Sequence, residues 1–340
     1  MARELLERLW TRGRGFLGVQ IPILGGAMTW ISESGLVSAI SNAGAFGVLA
    51  GGNMPPEALE REIRLTREKT AKPFGVNLIT IAPNFRRHLD QVLEMGLPFV
   101  ILAGGLPPRD AIARVKASGS RLLCFAPTVG VARKLVREGV DALIIEGHEA
   151  GGHVGPVSTA VLAEQILPTI DSVPVFVAGG IGSGVMMVHY LLMGAAGVQL
   201  GTKFAVAAES PAHENFKRAL LRANAKDALP TAQFDPRIPV IPVRALLNEG
   251  TRDFNTLQLG LVAQLERRQL SAKEAARKLE EFWIGGLRKA VVEGDVERGS
   301  LMAGQSVGLV QESKPVRAIV AGLVRDAEKT LDRLGIPDRE

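Results

Sequence analysis

A single cysteine, Cys124, excludes any internal disulfide. It lies in the apolar run Leu122-Leu123-Cys124-Phe125, which marks a packed core residue rather than a reactive thiol. Aromatics make up only 5% of the chain, with one tyrosine, too few for the stacking platforms that hold single-stranded nucleic acid. No uninterrupted apolar run approaches the roughly 20 residues of a membrane-spanning helix. The first 15 residues mix Arg and Glu without an apolar core of signal-peptide length. These absences lead us to expect a soluble, cytoplasmic protein that engages neither nucleic acid nor membrane. Histidine is also scarce, at five. His148 and His153 are five apart with two glycines between them, which excludes the helical metalloprotease motif, and no metal site is expected.

Glycine, by contrast, is plentiful at 38. The chain is organised around Ile144-Ile145-Glu146-Gly147-His148-Glu149-Ala150-Gly151-Gly152-His153-Val154-Gly155. An apolar run at 142–145 reads as a buried strand. It breaks into a glycine-rich turn bearing two carboxylates and two histidines, the way an α/β barrel builds a site at the carboxyl ends of its strands. A histidine there can trade protons near neutral pH. The plain alternative is a surface loop whose histidines do nothing.

Apolar runs at 21–24, 47–50, 74–77, 99–102, 122–125, 142–145, 175–178 and 197–200 alternate with amphipathic stretches. Eight such units over roughly 200 residues predict a (β/α)8 TIM barrel. A doubly wound sheet carries fewer strands and binds at one switch point. Helices are expected at 36–43, from Pro55 onward, at 85–95 and at 131–138. After Thr202 the pattern changes. Residues 204–221 read as helix, 227–243 as an irregular Pro-bearing segment, 257–289 as a small helical bundle and 315–334 as a helix that packs back on the barrel. The expected division is a barrel of 1–204 plus 312–340 and a mostly helical cap of 205–311. The net charge of +5 is spread over helical stretches, as on solvated faces, and otherwise favours anionic cofactors or an acidic partner.

The seventh and eighth strands both end in glycine, at Ala178-Gly179-Gly180-Ile181 and Gln199-Leu200-Gly201-Thr202-Lys203. In barrels this corner is the usual phosphate site, because free backbone N–H groups and a helix start face the anion. Neither segment fits a P-loop or G-x-G-x-x-G, so the phosphate would belong to a cofactor bound by the barrel. Glycines that serve only tight turns are the alternative. Asn77, ending the third strand, offers an amide donor and acceptor. Gly25, Gly26 and Met28 follow the first strand, where backbone can approach a flat ring.

Together these blocks resemble the FMN-dependent family of nitronate monooxygenases (formerly 2-nitropropane dioxygenases) and the flavin-dependent enoyl-acyl-carrier-protein reductase II. The resemblance runs from about Val19 to about Val310 and rests on Pro22-Ile23 with Gly26 and Met28-Thr29-Trp30, Gly51-Gly52-Asn53, Lys72-Pro73-Phe74-Gly75-Val76-Asn77, the Glu146-to-His153 core, and Val198-Gln199-Leu200-Gly201-Thr202-Lys203-Phe204. Later blocks are Thr251-Arg252-Asp253-Phe254 and Met302-Ala303-Gly304-Gln305. It implies a barrel holding FMN non-covalently, with the phosphate at Gly180, Gln199, Leu200, Gly201 and Thr202. It implies flavin contacts from Gly26, Met28, Asn77, Glu146 and Gly151, and it matches His153 to the family's catalytic histidine. Gly25 and Ala27 depart from the Gln and Gly common in the family.

Two reactions use the same parts. In one, NAD(P)H reduces FMN, which passes hydride to a 2-enoyl thioester while His153 supports the enolate or supplies a proton. In the other, a nitronate reduces the flavin and O2 reoxidises it. Glu146 in place of Gln, Gly51-Gly52-Asn53 and the 300–305 segment lean toward the reductase. The partners expected are a small-molecule or acyl-thioester substrate, an acyl carrier protein, and a second copy of the chain in a homodimer. A flavin-free phosphate-binding isomerase or synthase would share the glycine corner without needing the Gly-Gly-His loop, and a non-catalytic flavin module would tolerate loss of His153. His88 and His189 read as surface or packing residues, and His213 as a residue near the phosphate corner.

Overall fold

The computed structural model describes residues 1–335. Eight parallel strands form one sheet: β1 (Ile23–Gly25), β2 (Gly47–Ala50), β3 (Phe74–Ile79), β4 (Phe99–Ala103), β5 (Arg121–Phe125), β6 (Ala142–Glu146) and, after the two-residue β7 (Gly152–His153) outside this sheet, β8 (Val175–Ala178) and β9 (Gly197–Leu200). Their order is β1-β9-β8-β6-β5-β4-β3-β2, and a parallel bridge from Leu24 to Phe46 closes the ring. The chain is therefore a TIM barrel. β1 starts two residues later than the apolar run suggested, because Pro22 has no N–H to give to a ladder.

The strands are mostly apolar on both faces, because one face meets the surrounding helices and the other fills the barrel. Leu24, Phe46, Ile101, Leu123, Ile144 and Phe176 pack the interior. The helix Thr11–Leu17 lies under the N-terminal end, where Leu17 and Phe16 join that interior cluster. The Arg121 guanidinium stacks 5.4 Å from the Phe16 ring and 5.5 Å from the Phe99 ring. The floor is thus plugged, which leaves the C-terminal mouth for chemistry.

Beyond β9 the chain leaves the barrel and returns at the helix Val316–Leu334, which packs against Gly184–Leu192 and Ser34–Asn42 and completes the outer ring. The single helix expected at 204–221 is instead two, Thr202–Ala205 and Glu214–Arg222. Pro211 offers no N–H to a continuous helix. His213 starts the second one, its Nδ1 accepting from the Asn215 N–H at 3.1 Å. The segment expected to be irregular holds β10 (Ala228–Pro230), and β11 (Val243–Leu246) follows it; β11 pairs antiparallel with both β10 and β7. The helices Glu249–Glu266 and Ala272–Arg288 supply the expected bundle, capped at their starts by Asn248 and Ser271. They carry their own apolar cluster, with Phe254 and Trp283 at 4.2 Å between ring centroids. Of the boundaries expected between barrel and cap, 204/205 falls inside the short helix Thr202–Ala205 and 311/312 in the irregular stretch before Val316, while 336–340 lie outside the described residues. Among the described residues no helix is long and apolar enough to cross a membrane.

Candidate active site

Side chains alternate along a strand, and residues in parallel register point the same way. Leu24, Ile101 and Ala178 belong to the barrel interior. Asn77 pairs with Ile101, Glu146 with Ala178, and Gln199 with both Ala178 and Leu24. Three polar side chains therefore enter an otherwise apolar barrel near its mouth. Asn77 and Gln199 are largely buried residues, and their side-chain amides make no protein hydrogen bond among the described residues but remain open to the mouth. Burial pushes the Glu146 carboxyl up to about 7, while the nearby His153 pulls it the other way. A carboxyl so placed titrates where acid–base catalysts work.

The glycine-rich loop after β6 is held from three sides. Glu149 accepts from the backbone N–H of Thr159 at 2.8 Å and from its hydroxyl at 2.7 Å. Arg244, almost wholly buried, donates to the His148 carbonyl from Nε at 3.1 Å and Nη2 at 2.9 Å, and also reaches the carbonyl of Ala228. The return segment presses from above: a Cβ on Gly151 would stand 2.6 Å from the Ala303 carbonyl carbon and the Gly304 nitrogen. Gly151 is thus placed against Ala303 and Gly304. His148 turns into its own loop, its Nδ1 2.8 Å from the Gly155 carbonyl. His153 belongs to β7, paired with Val243, and its half-exposed ring puts Nε2 at 3.1 and 3.3 Å from the two Glu280 oxygens.

Beside this loop, at the end of the neighbouring β8, Gly179 and Gly180 adopt φ of +101° and +72°, a turn that side chains resist. Gly26 donates its N–H to the Leu200 carbonyl at 2.8 Å, and the Met28 sulfur lies beside Gly201. Gly26, Met28, Leu200 and Gly201 therefore come together. The Thr202 hydroxyl accepts from the Gly304 N–H at 3.0 Å. Lys203 donates to the carbonyls of Gly182, at 2.9 Å, and Leu309, at 3.3 Å, stapling the two glycine turns to each other. A cavity of about 660 Å³ adjoins this corner, lined in part by Gly179, Gly180, Tyr190, Gln305 and Ser306.

The remaining histidines stand apart. His88 is buried with both ring nitrogens unpartnered, His189 is exposed, and His213 is engaged in its capping hydrogen bond. Cys124 is fully buried, which raises its thiol pKa. Among the described residues no group of three or more His, Cys, Asp or Glu is placed to hold a metal. Sequence reasoning missed Thr159, Arg244 and Glu280. A Ser-Thr pair opening a helix was a visible sign of the first, whereas Glu280 reads like any other glutamate on a helix.

This arrangement has known counterparts. The sequence model of the nitronate monooxygenase family matches residues 11–86 and 79–326. The chain is 30% identical to a (3aS,4S,5R,7aS)-5-hydroxy-7a-methyl-1-oxo-octahydro-1H-indene-4-carboxyl-CoA dehydrogenase of Rhodococcus jostii, over 94% of this chain and 96% of that protein. It is 28% identical to a probable nitronate monooxygenase of Staphylococcus saprophyticus, over 96% of this chain and all of the other. Among solved structures, FabK from Thermotoga maritima superposes with a TM-score of 0.85 at 34% identity, covering 95% of this chain and 98% of that one. A nitroalkane oxidase from Streptomyces ansochromogenes gives 0.79 at 26%, covering 95% and 99%. The chain belongs to the nitronate monooxygenase family and is an oxidoreductase.

Proposed function

We propose that the chain is an FMN-dependent oxidoreductase acting on a 2-enoyl thioester, with NAD(P)H as the source of reducing equivalents. The observation that carries this reading is a barrel mouth that gathers Glu146 with the side-chain amides of Asn77 and Gln199, which make no protein hydrogen bond among the described residues, and where the charge of His153 acts on the Glu146 carboxyl. Convergent polar groups that line an apolar mouth without protein partners are free to bond a ligand. A flavin ring edge, rich in N–H and C=O groups, suits both amides. Bound there, FMN would supply hydride transfer to the β-carbon of the substrate.

The chain's own residues would do the rest. Backbone N–H groups at Gly180 and at the turn Gly201-Thr202 hold the phosphate, with Lys203 fixing the spacing of the two turns. Gly26 and Met28 border the ring. Glu146 presents a carboxyl that can carry a proton near neutral pH. His153 gives a proton to the α-carbon or stabilises the developing enolate oxygen. Support for a thioester comes from the carboxyl-CoA dehydrogenase relative and from the FabK likeness, whose type is enoyl-acyl-carrier-protein reductase II. A chain of net charge +5 suits an acidic thioester carrier.

The test is a visible spectrum of the purified protein, followed by anaerobic additions of NAD(P)H and, separately, of a nitronate. Bleaching of a flavin band by NAD(P)H, with reoxidation by a 2-enoyl thioester, is expected. Bleaching by the nitronate alone would overturn the reductase in favour of nitronate oxidation. No flavin band after reconstitution with FMN would overturn both.

A further inference from the structure

His153, whose charge acts on Glu146 at the barrel mouth, turns its ring to Glu280 on the helix Ala272–Arg288, 127 residues away in the chain. We propose that Glu280 is a positioning residue for His153, a carboxylate that fixes the orientation and tautomer of the imidazole and leaves Nδ1 to exchange a proton with substrate. This deepens, and rests on, the assignment of His153 as the proton-transfer group.

Three observations carry it. The Nε2 atom of His153 faces both Glu280 oxygens, at 3.1 and 3.3 Å, so the ring edge is aimed at the carboxylate. An ionised carboxylate only accepts hydrogen bonds, so the contact demands the proton on Nε2 and leaves Nδ1 with its lone pair. Among the described residues His153 makes no other side-chain hydrogen bond, and Glu280 has no other ionic partner. Arg277, three residues before Glu280 on the same helix, is paired with Glu281 instead. Lastly, the backbone of His153 is held by the same part of the fold, through the pairing of β7 with β11. The inserted segment thus fixes both the main chain and the ring of this residue. A hydrogen-bonded carboxylate behind a functional histidine fixes its tautomer and ring direction, and loss of such an outer partner costs about 10- to 100-fold in metal sites.

The test uses Glu280→Ala and Glu280→Gln, with Glu281→Gln as a control on the neighbouring ion pair and His153→Ala to assign the ring signals. In the 15N-histidine NMR spectrum, which holds only five side chains, the wild-type His153 should show the Nε2–H tautomer at a pH where the ring is neutral. The flavin-free protein serves for this arm. Glu280→Ala should give a mixture of tautomers, and Glu280→Gln, which keeps an acceptor oxygen, should restore most of the wild-type signal. In turnover, Glu280→Ala should lower kcat about 10- to 100-fold with KM within about twofold, and Glu281→Gln should leave both unchanged. An unchanged tautomer with kcat within about twofold in Glu280→Ala overturns the proposal. Retention of full turnover by His153→Ala would instead overturn the catalytic assignment of His153, and the NMR arm would still decide whether Glu280 orients the ring.

Discussion

Glu149 and Thr159 form a closed pair in which one carboxylate oxygen accepts from both the backbone N–H and the hydroxyl of the threonine. The second carboxylate of the glycine-rich loop is therefore committed to holding the loop on the start of the helix Thr159–Ile166, where the helix dipole favours negative charge. Removing it strands a buried N–H next to the Gly179-Gly180 turn. Glu149→Ala is expected to cost about 1–3 kcal/mol, seen as a lower midpoint in thermal unfolding, and to reduce the flavin retained per protein. A variant with wild-type melting and full flavin content would contradict this.

Gly151 and Gly155 look alike in the sequence but not in space. A Cβ at Gly151 would meet backbone atoms at 2.6 Å, whereas a Cβ at Gly155 would meet nothing within 4 Å. Backbone cannot swing aside as a side chain can, so Gly151→Ala should force the return segment Ala303-Gly304 away from the loop, at about 1–3 kcal/mol. Gly155→Ala should stay within about 0.5 kcal/mol of wild type. Denaturant melts of the two variants side by side measure the difference, and equal stabilities would show that the loop and the return segment are not in tight contact.

The runs 47–50, 175–178 and 197–200 coincide with β2, β8 and β9 because a barrel strand is buried on both faces and so reads as an unbroken apolar run. Asn77, Glu146 and Gln199 were legible for the converse reason: each is a polar residue in or at the end of such a run. What stayed hidden depends on distant partners. β7 is two residues long and exists only because β11, some ninety residues on, pairs with it. Arg244 and Glu280 gain their meaning from His148 and His153, and no local periodicity announces that. At 204–221 the apolar spacing ran on, while Pro211 and the capping His213 divided the helix.

Arg244 is the anchor between loop and ribbon, buried to 1% exposure and bonded to the carbonyls of His148 and Ala228. Arg244→Met keeps much of the volume but leaves both carbonyls without their donor. The expected loss is about 2–4 kcal/mol, the upper part of the range for breaking buried charged hydrogen bonds. Hydrogen exchange should show the largest gain in 147–155 and in β11. A loss spread evenly over the barrel would contradict the anchor role.

Glu146 gives the pH dependence its sign. Its carboxyl is raised from 4.5 to about 7 by burial, so between those values the folded protein keeps a proton that the unfolded chain has released. The unfolded state then binds fewer protons, and stability falls as pH rises from about 4.5 to about 7 before levelling off. At 1.36 kcal/mol per unit the contribution is at most about 3 kcal/mol, less where solvent reaches the group. Glu146→Gln removes the titration while keeping the shape. It should match the wild type near pH 4.5 and exceed it in stability at pH 8, in denaturant melts of the flavin-free protein. If the two curves run parallel across this range, the carboxyl is not held protonated at the barrel mouth, and its part in proton handling falls with it.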